Sequence, residues 1–177
     1  GPDRLAWEKA EAEEITRLIL SGTIVPISHS SVPQDRWTNN EIVYYNPVVK
    51  QKRNDDGTIQ YRVRGTAGGN LLDVPYDVSA RTAGLDTVKL LLHSVISGDH
   101  SWMTIDISDF YLGTPLPASR YEYLRINVDK IPPSILEQYN LSPLIYNKHV
   151  YFEIRKCMYG LYQAGKLSHT RLIRHLS

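Results

Sequence analysis

Apolar positions recur at helical spacing in DRLAWEKAEAEEITRLILS (3–21). Leu5, Trp7, Ile15, Leu18 and Ile19 fall near one stripe, with Ala, Glu and Lys filling the rest. The spacing predicts an amphipathic helix, capped by Asp3 and closed by Gly22. ISHSSVPQDRWTNNE (27–41) is polar and turn-rich and reads as a loop. Over 41–65, two β-rich runs flank NDDG, where Asp-Gly supplies a left-handed turn residue, so a hairpin is predicted. TAGGNLLDVPYDVSAR follows as a punctuated loop, and its glycine pair is too little to read as a phosphate loop. LDTVKLLLHSVIS (85–97) predicts a helix with Leu85, Val88, Leu92, Val95 and Ile96 as its stripe and His93 at the surface or core edge. SWMTIDIS, YEYLRINV and HVYFEIRKCMYG predict strands; SILEQYN and LYQAGKLSHTRLIRHL predict helices. Strands and helices interleave without a regular βαβ period, which gives an α+β class with an antiparallel sheet and packed helices.

Composition adds two constraints. The 177 residues are 42% apolar, enough for one compact core or two lobes sharing one. No apolar run approaches the roughly 20 residues of a membrane span. The net charge of +1 does not announce a nucleic-acid partner, but its distribution is polarised. Residues 1–20 carry three basic and five acidic groups; residues 147–177 carry six basic groups against Glu153, with three histidines besides. The single cysteine, Cys157, excludes an internal disulfide, fits a reducing compartment and reads as a small buried apolar residue.

Two places invite chemistry. Lys50 and Lys52 share one face of the first hairpin arm, and Arg62 and Arg64 one face of the second. This is either a solvated face or a cationic finger for phosphates, to which arginine forks are suited. In MTIDISDFYLG (103–113), Asp106 sits in an alternating apolar run. A carboxylate buried there needs a basic partner, several amide donors or a hard cation such as Mg²⁺. Taken singly, Tyr111 reads as core or rim and Tyr159-Gly160 as an ordinary turn.

D-I-S-D-F-Y (106–111) resembles the first catalytic motif of reverse transcriptases, an Asp followed five residues later by an aromatic. Further blocks resemble copia-type retrotransposon reverse transcriptases in the same order. W-E-K-A-E-A-E-E-I-T-R-L-I-L-S-G-T-I (7–24) resembles the opening helix and Q-Y-R-V-R-G (60–65) the basic fingers strand. V-K-L-L-L-H-S-V-I-S (88–97) resembles the helix before the catalytic strand. C-M-Y-G-L-Y-Q-A-G-K (157–166) resembles the Tyr-Gly-Leu-x-Gln-Ala-Pro segment, with Gly165 where proline is usual.

The resemblance implies a fingers-like region over 3–100, with the helix, the hairpin 41–65 and the helix 85–97, and a partial palm over 101–177. Gly1-Pro2 resembles a tag remnant. Asp106 would be a catalytic carboxylate holding Mg²⁺ with the Ile107 carbonyl, in a two-metal nucleotidyl transfer. Arg62 and Arg64, helped by Lys50 or Lys52, would hold the triphosphate, with the amide of Asp109 or Phe110. The Asp109 side chain would be a cap or salt-bridge group. Tyr111 would be the steric gate against a ribose 2′-hydroxyl, and Tyr159 and Gly160 would shape the nucleotide pocket. The implied partners are an RNA or DNA template-primer, deoxynucleoside triphosphates and the remainder of a reverse transcriptase/ribonuclease H polyprotein. The implied location is intracellular, cytoplasmic or nuclear, within a retroelement particle.

The family's second carboxylate motif, Tyr-x-Asp-Asp, has no counterpart after residue 160; the Asp-Asp pair present is Asp55-Asp56 in the hairpin turn. The expectation is therefore a fingers and partial palm fragment, truncated before that hairpin and inactive as a polymerase alone. The alternative is a non-catalytic, domesticated polymerase-like module for nucleic-acid binding or assembly. A partial palm also predicts an exposed edge and apolar face, hence self-association.

Overall fold

A computed structural model describes residues 3–73, 78–80 and 82–177. The predicted loop residues 74–77 and 81 lie outside that description. The first helix, α1 (Arg4–Leu20), ends in two reverse bonds: Gly22 N–H donates to Ile19 O at 2.9 Å and Thr23 N–H to Leu18 O at 3.0 Å. With Gly22 at φ +67° this is the glycine-closed helix end the sequence predicts. Asp3 precedes the helix, but its carboxylate makes no capping bond. Ile15 and Leu18 are fully buried; Leu5, assigned to the same stripe, is exposed because it falls on the helix's outer side.

The sheet contains β1 (Ile24–Ile27), β2 (Ile42–Arg53), β3 (Ile59–Ala67), β4 (Glu122–Asn127) and β5 (His149–Ile154), in the order β1-β5-β4-β2-β3. Three pairings are antiparallel, but β2 and β4 run parallel through Ile42–Tyr44 and Tyr123–Arg125. The sheet is thus mixed rather than antiparallel, and it joins strands from both sides of residue 100. Long connections make the parallel pair feasible, since a tight hairpin could not. Edge strand β1 contains Pro26, whose missing N–H blunts that edge.

One face carries the main core, in which Leu124, Ile126, Phe152 and Ile154 meet Ile15 and Leu18 of α1. Ile135 of α4 (Pro133–Gln138) and Ala164 of α5 (Ala164–Leu176) join the same cluster. The other face holds a smaller cluster of Val32, Ile42, Tyr123 and Tyr151. Trp37 covers it from α2 (Gln34–Thr38), a short helix within the stretch that reads as loop.

The predicted strand SWMTIDIS is not a strand. Residues 101–107 have no regular structure, and all are exposed. Alternation specifies a strand only where a neighbour takes up the backbone hydrogen bonds, and no described strand lies beside this segment. The preceding helix, α3 (Leu85–Ser97), forms as predicted but buries none of its residues.

Candidate functional site

The hairpin register decides what the basic residues can do. Lys50 pairs with Arg62, Lys52 with Gln60 and Val48 with Arg64, so Lys50, Lys52, Arg62 and Arg64 lie on one face of the ladder. The turn is held by Asn54 and Thr58, and Gly57 takes φ +83°. Asp56 Oδ1 accepts from the Thr58 hydroxyl at 2.6 Å and from the Thr58 N–H at 2.9 Å, and these local bonds hold its carboxyl below its usual range. None of the four cations pairs with a carboxylate among the described residues. Like charges directly opposite one another, as Lys50 and Arg62 are, disfavour the ladder. An anion across this face would relieve that repulsion.

At the base of the hairpin the cations meet aromatic rings. The Arg64 guanidinium lies 4.3 Å from the centroid of Tyr159. Tyr159 is 5.0 Å from Tyr111, which is 5.8 Å from Phe110. A backbone bond from Ala67 N–H to Tyr159 O, 2.7 Å, fastens this ladder to β3. Gly160 makes that approach possible: at φ +92°, a Cβ there would stand 2.0 Å from Ala67 O. Asp109, at φ +51°, forms an ion pair with Arg17 of α1. Arg17 also pairs with Glu14, whose Oε1 accepts the Gly65 N–H at 2.8 Å. Burial works against the Arg17 charge, but these two carboxylates hold its pKa above the ordinary value.

These elements enclose an open cleft of about 550 Å³, lined by Glu14, Arg17, Lys50, Arg62, Arg64, Asp109 and Tyr159, among others. The structure therefore gathers Lys50, Arg62, Arg64, Asp109 and Tyr159 around one space. Lys52 stands further out on the same ladder face, Tyr111 and Phe110 stack behind Tyr159, and Gly160 fixes the turn. Sequence reasoning missed Glu14 and Arg17. Their signal was a charged pair at the edge of a buried helical stripe, since Glu14 falls one turn before Leu18.

Asp106 and Ile107 are placed otherwise. Both are exposed on the 101–107 segment and neither lines the cleft, so Asp106 is not a carboxylate buried in a core strand. No group of three or more His, Cys, Asp or Glu side chains among the described residues could hold a metal ion. The described residues do not fit a two-ion Mg²⁺ site. A further buried polar group lies outside the cleft lining. Glu122 is fully buried, 3.0 Å from Arg36 Nη1, and accepts from Gln163 Nε2 at 3.0 Å. Burial pushes its carboxyl pKa up, with Arg36 and Arg120 opposing.

No protein-family model, curated protein or solved structure matches the chain. No helix among the described residues is long and apolar enough to cross a membrane.

Proposed function

We propose that the chain binds nucleic acid and nucleoside triphosphates as the fingers and partial palm of a copia-type reverse transcriptase. The observation carrying this reading is the continuous surface from Lys52, Lys50, Arg62 and Arg64 into the Tyr159–Tyr111 ring pair. Cations along a ladder suit a phosphate backbone, and rings beside them suit base or sugar stacking. On this reading Arg62 and Arg64, with Lys50 or Lys52, hold the triphosphate, and an amide from Asp109 or Phe110 assists. Tyr111 packs beneath the sugar and selects deoxynucleotides, while Tyr159 and Gly160 shape the pocket. On this reading polymerase activity would need a larger assembly, in which the rest of the polyprotein would have to supply the carboxylates that a Mg²⁺ site requires beside Asp106 and the Ile107 carbonyl. A non-catalytic binding module is the second reading, favoured by the lack of a carboxylate cluster around Asp106 among the described residues.

Fluorescence anisotropy with labelled single-stranded RNA tests the reading. Four cations on phosphates give a slope of log K against log salt of about −3, and Arg62→Ala with Arg64→Ala flattens it by about 1.4. Displacement by deoxynucleoside triphosphates in preference to ribonucleotides, lost in Tyr111→Ala, supports the polymerase reading. RNA binding that no triphosphate displaces supports the module. Absence of both kinds of binding refutes both.

A further inference from the structure

Residues 82–109 expose an apolar surface of their own. Every one is exposed except Val95, which is half-buried. On α3 the stripe through Leu85, Leu92 and Ile96 is widened by Leu91, while Leu90 stands on the opposite side. Leu90 is 72% and Ile96 81% exposed, although a helix apolar on both sides is ordinarily buried on both. At 13 residues it is also of a length that is marginal for a helix alone in water. Trp102 and Met103 extend the apolar surface beyond its end. Exposed apolar side chains in such number on one segment mark an interaction site.

Charge identifies what covers it. The segment holds Asp86, Asp99, Asp106 and Asp109 against Lys89, a net −3, of which Asp109 is taken up by Arg17. The second half of α5 has the complementary character. Residues 169–177 are exposed apart from half-buried Leu172, and they set Ile173 and Leu176 among Arg171, Arg174, His169 and His175. One chain thus carries an acidic apolar arm and a basic apolar helix end, both open.

We propose that segment 82–109 of one copy docks on the outer half of α5 of a second copy, reciprocally, in a two-fold dimer. A two-fold axis covers both pairs of surfaces at once and closes the assembly, which a contact with an unrelated partner would not do. This inference is independent of the nucleic-acid reading.

Light scattering after size-exclusion chromatography, across a broad concentration series, tests it. The expected result is a monomer–dimer equilibrium. Leu91→Asp and Ile96→Asp, at side chains outside the chain's own core, should each raise the dissociation constant about tenfold or more. The charge variants Asp86→Lys/Asp99→Lys and Arg174→Glu/His175→Glu should each weaken the homodimer, and mixing the two should restore a heterodimer. Circular dichroism verifies that each variant is folded. A strict monomer overturns the proposal, as does a monomer whose α3 amides resist hydrogen exchange, because its arm would then fold back on its own chain. A dimer indifferent to Leu91 and Ile96, open-ended growth with concentration, or no restoration on mixing would each overturn it too.

Discussion

Replacing Gly160 by alanine tests the packing that holds Tyr159 in place. Two costs add at this position. A residue with a Cβ at φ +92° is conformationally strained, by about 1–2 kcal/mol for left-handed backbone. The Cβ would also stand 2.0 Å from Ala67 O and 3.0 Å from Ala67 N, both backbone atoms that no rotamer change can move aside. The turn must then retreat from β3, breaking the 2.7 Å bond from Ala67 N–H to Tyr159 O and leaving a buried amide unpaired, about 1–3 kcal/mol more. The sum is about 2–5 kcal/mol. Gly22→Ala is the internal control: φ is +67°, yet nothing lies within 4 Å of its Cβ, so the first cost stands alone. Urea unfolding followed by tyrosine and tryptophan fluorescence reads the difference. With a slope of about 2 kcal/mol per M, Gly160→Ala should lower the midpoint by about 1–2.5 M and Gly22→Ala by about 0.5–1 M. Equal shifts would show that the contact with β3 contributes nothing beyond backbone strain, and the reasoning about the Tyr159 anchor would fail.

Arg36→Met should destabilise by about 3–5 kcal/mol, because it strips Glu122 of its nearest cation at a fully buried site, whereas Glu122→Gln should cost about 1 kcal/mol. Because burial raises the Glu122 pKa in the folded state, the native protein holds that proton more firmly than the unfolded chain. Its stabilising share is full below the ordinary carboxylate value and is lost as pH rises through the raised one, so Glu122→Gln should flatten the urea midpoint across that window. An unchanged pH profile would remove burial as the dominant cause. The Cys157 thiol, fully buried and pushed up to about 11 by burial, should resist maleimide at pH 8 until denaturant is added; prompt labelling of the native protein would contradict its placement.

Local pattern was a good guide wherever the chain's own neighbours decide the outcome. The hairpin is legible because alternation, a β-rich composition and the Asp-Gly turn agree; its register, which puts Lys50 opposite Arg62, is set by the longer closing loop between Arg53 and Ile59 and comes from the structure. The closing of α1 at Gly22 is legible for the same reason. What could not be read is what depends on distant partners. Nothing in β2 or β4 alone says that they pair in parallel. The anchoring of Asp109 by Arg17 joins residues 92 positions apart, and the Arg36–Glu122 pair 86. The 101–107 segment is the converse case: its alternation is sound as a pattern, but a strand is a property of two chains of backbone and not of one.

The cleft and the Asp106 segment differ in how far they are assembled. The cations of the hairpin are built into the sheet, and the rings of Tyr159 and Tyr111 are held against them. Asp106 lies on an exposed segment outside the cleft, yet it is not free to wander. Asp109 is tied to Arg17 at the cleft, and three residues of extended chain span at most about 11 Å, so Asp106 stays within that distance of an anchored neighbour. Ordering the seven residues 101–107 costs about 7–14 kcal/mol in backbone entropy, at 1–2 kcal/mol each. At about 25 cal/mol per Å², burial of roughly 280–560 Å² of apolar surface offsets that cost, less than the roughly 800 Å² each partner contributes to an ordinary interface. Whatever covers Trp102, Met103 and the apolar face of α3 can thus also fix the position of Asp106 relative to the hairpin.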